Sequence, residues 1–353
     1  MPEGSTLPAP YVYSRESAPN ATRLEAILSS LCHGYSLVYA SGLAAFHALL
    51  VRLNPKVLAI GGGYHGIHEV AEIHTRLTGL RLCDLHDEAA WDKAGLGKGD
   101  IVHIETPVNP TGEAYNIQHY ADLAHKRGAY LTVDATFGPP GLQDPFLHGA
   151  DFILHSGTKY IGGHSDMLCG VLVTRPDNGW HTWNKLQQER LALGSVVGNL
   201  ESWLGARSVR TMQLRVKQQS RSATDIVQWL QDAITSQTST EDAIDIRKVV
   251  DKVQHASLQK SDMEWLKNQM PNGFGPVFVI WMKSEEITKT LPSKLHLFQH
   301  ATSLGGVESL VEWRTLSDDR INRKILRFSI GVEDCEDLKQ DLLQAFRTFI
   351  TNQ

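Results

Sequence analysis

The sequence predicts an α/β fold with a mostly parallel central sheet, followed by a smaller C-terminal α/β region. Short apolar runs at 57–60, 101–105, 130–133, 152–154 and 171–174 alternate with longer segments whose apolar residues recur at helical spacing. A parallel sheet with crossover helices produces that order. The turns between them carry glycine and proline, as in Gly61-Gly62-Gly63 and Thr106-Pro107-Val108-Asn109-Pro110-Thr111-Gly112, which stop one element and redirect the chain. A chain of 353 residues that is 42% hydrophobic and 21% charged has enough apolar material for a large core, with a length that predicts two domains, and too much for disorder.

Charge and cysteine usage narrow the class. A net charge of −5 with scattered Lys and Arg gives no basic patch for nucleic acid or a membrane surface. The four cysteines, Cys32, Cys83, Cys169 and Cys335, are far apart and form no C-x-x-C, so neither a zinc site nor a disulfide framework is expected. Residues 1–10 are Pro-rich without an apolar stretch, and no run reaches the ~18 residues of a membrane span, which makes the cytoplasm the default location.

In chain order, Tyr13-Ser14-Arg15 follows the N-terminal tail. Asn20 or Thr22 can then cap a helix with an apolar stripe at Leu24, Ile27, Leu28 and Leu31. Ser41-Gly42-Leu43 opens an apolar helix running to Leu53. A glycine at a helix start lets backbone N–H groups and the helix dipole meet an anion, although S-G-x alone is usually a turn. Tyr64 follows the triple glycine, and His65, His68 and His74 read as surface histidines of the next helix because no carboxylate or cysteine spacing supports a metal site. Asn109 sits in the proline-rich turn, where it either organises the turn or faces a ligand. Segments 204–215 and 226–230 read as helices leading to a second domain with a strand at 277–282 and a closing helix at 338–350.

The stretch from Asp134 to Asp166 carries the chemistry. Asp134 ends one apolar run, and Lys159 follows the next inside His155-Ser156-Gly157-Thr158-Lys159. Neighbouring strands would bring acid and lysine to one sheet edge. That pair suits pyridoxal phosphate: a lysine condenses with the aldehyde, and a carboxylate keeps the pyridine nitrogen protonated so that the ring accepts electrons. Ser156 and Thr158 add hydroxyls for a phosphate, and Thr136 can hydrogen-bond near the ring.

This string, with Tyr13-Ser14-Arg15, Ser41-Gly42-Leu43, Tyr64, Glu105-Thr106-Pro107-Val108-Asn109-Pro110, Ser303-Leu304-Gly305-Gly306-Val307-Glu308-Ser309-Leu310 and Leu326-Arg327-Phe328-Ser329, resembles the cysteine and methionine metabolism family of pyridoxal-phosphate enzymes. That family includes cystathionine γ-synthase, the cystathionine lyases and methionine γ-lyase. The resemblance extends from Tyr13 to about Phe346. It implies fold type I of the pyridoxal-phosphate-dependent enzymes, with an N-terminal arm at 1–30, a cofactor domain at 31–212 and a C-terminal domain at 213–353. It implies that Lys159 holds the cofactor and moves protons, that Asp134 pairs with the ring nitrogen, that Tyr64 stacks on the ring, and that the Ser41-Gly42-Leu43 backbone holds the phosphate. Tyr13 and Arg15 would reach the phosphate of a neighbouring subunit, and Asn109, Ser303 and Arg327 would grip the substrate α-carboxylate. A homodimer is the minimum expected assembly. The family's segment before Y-x-R, which helps join dimers into tetramers, is shorter here and leaves the tetramer open.

Two departures bear on the substrate. The family's synthases and γ-lyases commonly place a glutamate before S-L-G-G for a distal ammonium, where this chain has Thr302. The family's P-x-x-M-T-H segment at the site mouth is replaced by Val311-Glu312-Trp313-Arg314 and a charged run to Lys324. The expected activity is γ-replacement or γ-elimination on an O-acylhomoserine or thioether amino acid, with a carbon–sulfur β-lyase, or a cofactor-binding protein of little turnover, as the alternatives.

Overall fold

The computed structural model describes residues 11–235, 240–318 and 320–350. A seven-stranded sheet contains β1 (Tyr35–Tyr39), β2 (Val57–Ile60), β3 (Arg81–Asp84), β4 (Ile101–Glu105), β5 (Tyr130–Asp134), β6 (Phe152–Ser156) and β7 (Gly170–Thr174), in the order β1-β7-β6-β5-β4-β2-β3. The pairs from β6 through β5, β4 and β2 to β3 are parallel, while β7 is antiparallel to both β6 and β1. The helices of this region are α1 (Pro19–Leu31), α2 (Gly42–Leu53), α3 (His65–Thr78), α4 (Glu88–Ala94), α5 (Ile117–Lys126) and α6 (Trp180–Leu193).

Both faces of the sheet are covered, which is why its strands read as continuous apolar runs rather than alternating ones. Leu58, Leu154 and Leu172 pack with Phe46 and Leu49 of α2 and Ala71 of α3. Their strand neighbours Val57, Ile153, Val171 and Val173 pack on the other face with Leu24 and Leu28 of α1 and Ala121 of α5.

The segments read as two helices at 204–215 and 226–230 are one helix, α7 (Asn199–Thr235), of 37 residues. Its Val209, Met212 and Val216 join the large-sheet core, and its Ala223, Ile226 and Leu230 join a second core. With no proline inside it and a buried stripe along its length, nothing interrupts the helix. The second core lies on a five-stranded, largely antiparallel sheet of β8 (Val250–Gln254), β9 (Val277–Met282), β10 (Gln299–His300), β11 (Leu310–Trp313) and β12 (Ile325–Ser329), in the order β10-β11-β12-β9-β8. Helices α8 (Glu241–Val249), α9 (Met263–Gln269), α10 (Glu285–Thr290) and α11 (Cys335–Arg347) complete the chain.

The cap expected for the first helix differs. Neither Asn20 nor Thr22 caps α1, which starts at Pro19 with Ala18 as an N-cap lacking any side-chain bond. Proline is pre-set for the first helical position and has no N–H to satisfy, and the Asn20 amide instead donates to Asn199 Oδ1 at 3.0 Å.

Candidate active site

Because β2, β4, β5 and β6 run parallel, their C-terminal ends share one edge, where open α/β sheets bind ligands. Glu105 and Asp134 are register partners there, and Asp134 lies opposite Leu154, five residues before Lys159. Thr136 fixes Asp134: its backbone N–H and its hydroxyl donate to Oδ1 at 2.9 and 2.6 Å. The Thr136 hydroxyl also accepts from the Ser156 N–H at 2.8 Å, tying β5 to β6. Glu105 accepts from the backbone N–H groups of Tyr64 (2.8 Å) and Asn109 (2.7 Å), so one carboxylate holds both loops. Burial raises the pKa of Glu105, and the nearby Asp134 raises it further. Burial also raises that of Asp134, against the lowering effect of the Thr136 bonds. Two such neighbours cannot both ionise cheaply, and the pair retains a proton near neutrality.

Lys159 lies in the turn after β6, with its N–H on Ser156 O at 3.1 Å. Its Nζ donates to Ser303 Oγ at 3.2 Å. Burial and the Arg327 charge lower its pKa to about 8, partly opposed by Glu312. Gly305, at φ +84°, brings the 303–306 loop against the lysine backbone: a Cβ there would lie 3.1 Å from Lys159 Cα. The left-handed backbone and the contact both call for glycine.

Ser41 caps α2 by accepting from Ala44 N at 3.1 Å, and a Cβ on Gly42 would lie 3.4 Å from Ser156 Cβ. The start of α2, with its free N–H groups, therefore faces the end of β6, a suitable place for a phosphate. Thr158 lines the cavity, but its hydroxyl is committed: it donates to Cys169 O at 3.3 Å and accepts from Cys169 N at 3.1 Å.

Arg327 sits on β12, buried. Its Nη1 donates to Asn109 Oδ1 at 3.0 Å, and its Nη2 donates to the carbonyls of Thr302 (2.5 Å) and Ser303 (3.2 Å). Ser303 therefore supports Arg327 through its carbonyl while its hydroxyl meets Lys159. The Arg327 guanidinium also pairs with Glu312 Oε2 at 2.5 Å. Glu312 in turn accepts two bonds from Arg314 Nη1, at 3.1 and 3.0 Å, and one from the Ser317 hydroxyl at 2.5 Å. Glu312, Arg314 and Arg327 are only 1%, 4% and 3% exposed. Sequence reading did not single out this Arg–Glu–Arg cluster, and took Glu105 only as the end of a strand. The available signals were an acid at a strand end beside that of Asp134, and an arginine at the altered site mouth.

Thirteen of the sequence-predicted site residues, all except Tyr13 and Arg15, line one cavity of about 670 Å³. Tyr64 is 41% exposed at its rim. Tyr13 and Arg15 lie outside it on the exposed arm, where Arg15 donates to Leu191 O at 2.6 Å and to the Tyr13 hydroxyl at 3.0 Å. The histidines expected on the surface differ: His74 is buried against His47, with 3.0 Å between ring nitrogens, and His65 lines the cavity with Nδ1 buried and unpartnered. They follow the buried stripe of α3 through Ile67, Val70 and Ala71.

The donor set fits pyridoxal phosphate: a low-pKa lysine, an aspartate fixed at a strand end, and a helix N-terminus beside the Ser156 hydroxyl. The sequence matches the family model described as "Cys/Met metabolism PLP-dependent enzyme" over residues 4–347. The chain belongs to this family. It is a pyridoxal 5'-phosphate-dependent enzyme of the trans-sulfuration type. Its similarity to family members spans nearly the whole chain. It is 32% identical to a cystathionine gamma-lyase of Saccharomyces cerevisiae, covering 96% of this chain and 87% of the relative. It is 29% identical to a cystathionine beta-lyase of Lactococcus lactis subsp. cremoris, covering 96% and 89%. Among solved structures it resembles cystathionine gamma synthase from Xanthomonas oryzae pv. oryzae in complex with aminoacrylate and cysteine, with a TM-score of 0.86, 26% identity, and coverage of 99% and 91%. No helix among the described residues is long and apolar enough to cross a membrane.

Proposed function

We propose that this family member catalyses γ-replacement or γ-elimination on an O-acylhomoserine or thioether amino acid. The observation that carries the reading is the placement of Lys159 Nζ, 3.2 Å from Ser303 Oγ, in the cavity that also holds Asp134, Tyr64 and Arg327. Bound there, pyridoxal phosphate would supply the electron sink that acidifies the substrate Cα–H. Asp134 would protonate and hold the ring nitrogen. The Ser41-Gly42-Leu43 backbone and Ser156 would hold the phosphate, with Thr158 shaping the turn that carries Lys159. Arg327, with Asn109 beside it, would receive the α-carboxylate as a charge-assisted pair.

Lys159, with its pKa brought down to about 8, has a neutral amine within reach of physiological pH, so it can take a proton from Cα and return one to the chain of the substrate. The Tyr64 phenol is raised by burial and by Glu69, so it stays protonated and can donate toward a leaving group. Tyr13 and Arg15 would complete the phosphate site of a second subunit, which makes a homodimer the working unit; the cofactor domain would span 31–212.

The distal-end reading is that Thr302, a neutral residue, disfavours the ammonium head of cystathionine relative to acylated or uncharged ends. An ammonium without a carboxylate partner forgoes about 1.5–3 kcal/mol, roughly ten- to a hundredfold in affinity. The two acids that follow Thr302 in the chain, Glu308 and Glu312, do not line the cavity: Glu312 is held by two arginines, and Glu308 accepts from the Ser165 hydroxyl. The test is a panel of O-acetylhomoserine, O-succinylhomoserine, methionine, cysteine and cystathionine, followed by keto-acid and thioether formation. Preference for cystathionine, unchanged by Thr302→Glu, would refute the distal-end reading. The Lactococcus lactis relative, a cystathionine beta-lyase, supports a carbon–sulfur β-lyase as the second reading, and pyruvate as the sole keto acid would favour it.

A further inference from the structure

Strand register sets two carboxylates side by side at the sheet edge, and only one of them keeps an oxygen for the cofactor. Glu105 and Asp134 are register partners on β4 and β5, and both line the cavity. Neighbouring strands lie about 4.8 Å apart, and register partners send their side chains to the same face. Glu105 is spent on the backbone: Oε2 accepts from the Tyr64 N–H and Oε1 from the Asn109 N–H. Gly63, at φ +147°, makes room for it, since a Cβ there would lie 2.5 Å from Glu105 Oε2. Asp134 takes both Thr136 bonds on Oδ1, and among the described residues nothing donates to its Oδ2. Burial raises the pKa of both acids, and a second charge beside the first is costly, so the pair holds one proton between them. The hydrogen bonds decide where it sits. An oxygen that accepts an N–H or O–H favours its charged form, and three of the four oxygens do so. Asp134 Oδ2 is the one left for the proton.

We propose that Glu105 is a positioning residue for the cofactor's ring proton: its charge keeps a proton on Asp134 Oδ2 for transfer to the pyridine nitrogen, and afterwards holds it there. In that transfer the Oδ2–H bond breaks, an N–H bond forms, and Asp134 becomes the carboxylate facing the ring cation, with no proton drawn from solvent. For a ring already protonated in solution, Asp134 releases its proton to solvent instead. The inference rests on reading Asp134 as the partner of the ring nitrogen. The other titratable groups around the pair do not take its place. His103, two residues back on β4, and His155 on β6 are buried and stay neutral, with pKa values lowered to about 3 and about 4. Burial also lowers that of His68 and raises that of Tyr64, which favours the neutral form of each. Arg314 and Arg327 are cations on the facing wall. Lys159 owes its value of about 8 to burial, Arg327 and Glu312. It and His65 are the same in every variant below and cancel in the comparison.

The test follows the proton itself. Infrared difference spectra, recorded as pyridoxal phosphate is added to wild-type apoenzyme, should show one protonated carboxyl converted to carboxylate. In the holoenzyme, the NMR shift of an isotope-labelled ring nitrogen reads its protonation across pH. Removing a negative charge beside a cation lowers the pKa of the cation. Glu105→Gln should therefore move the ring midpoint down by about one pH unit or more, tenfold in the protonation constant. Glu105→Asp keeps the charge but is too short to hold both loops, and its midpoint should stay nearer to wild type than that of Glu105→Gln. A brace for the loops without an electrostatic part would show no such separation, and that result overturns the proposal. Asp134→Asn tests the reading beneath it and should strip the ring proton at neutral pH. If it does so while Glu105→Gln leaves the midpoint unchanged, the proposal falls and the Asp134 reading stands. If Asp134→Asn leaves the ring protonated, both fall. Loading the wild type without loss of a protonated carboxyl would also overturn the proposal, a result that needs no variant to fold.

Discussion

Replacing Glu312 with glutamine tests how the substrate arginine is held. The carboxylate is 1% exposed and lies between Arg327 Nη2 at 2.5 Å and Arg314 Nη1 at 3.0 Å, so its loss leaves two buried cations facing each other. Breaking a buried pair by removing one partner costs about 3–5 kcal/mol. With an unfolding entropy near 2.1 cal/mol/K per residue, a chain of this size should lose about 4–7 °C in Tm. The affinity for amino acids should fall as well, because Arg327 loses the partner that orients it. Lys159 should titrate below its present value of about 8, since Glu312 now opposes the effect of Arg327. Differential scanning fluorimetry with and without cofactor gives the first number, and absorbance titration with norleucine the second. Combining Glu312→Gln with Arg314→Gln should restore part of the lost stability, because one of the two stranded charges is gone; contacting residues couple in this way. A Tm within 1 °C of wild type, together with no recovery in the double variant, would refute the buried Arg–Glu–Arg cluster.

Lys159→Ala should purify without the visible absorbance of lysine-linked cofactor and without turnover, and borohydride reduction with peptide mapping should label Lys159 in the wild type. Asp134→Ala should retain some cofactor and lose activity by orders of magnitude, read from single-turnover rates, because an unprotonated ring is a poor electron sink. The rate at which the apoenzyme takes up pyridoxal phosphate should rise with pH through a midpoint near 8 and then level off. Only the neutral amine attacks the aldehyde, and burial together with Arg327 holds this lysine below its ordinary 10.5; a midpoint near 10 would contradict the burial argument. Co-expressed Arg15→Ala and Lys159→Ala chains should regain activity above the sum of the separate variants if the arm serves a second subunit.

The strand and helix order was legible in the sequence because burial on both faces leaves continuous apolar runs, and the turn residues between them have few alternatives. Asp134 and Lys159 were legible for the same reason: each follows such a run, and parallel pairing brings the ends of neighbouring strands together. The helix at α7 was not, because its buried stripe passes from one core to the other between Val216 and Ala223, and a local window reads that crossing as a break. The start of α1 was assigned to a polar cap, when Pro19 itself opens the helix. Local sequence sets which residues carry chemistry and which elements hold them. Tertiary structure alone decided which of those groups meet: Glu105 joins Asp134 through strand register, Thr158 turns its hydroxyl to Cys169, and Arg327 and Arg314 share one buried carboxylate. These are long-range contacts between polar side chains, and hydrophobic periodicity carries no information about polar partners far apart in the chain.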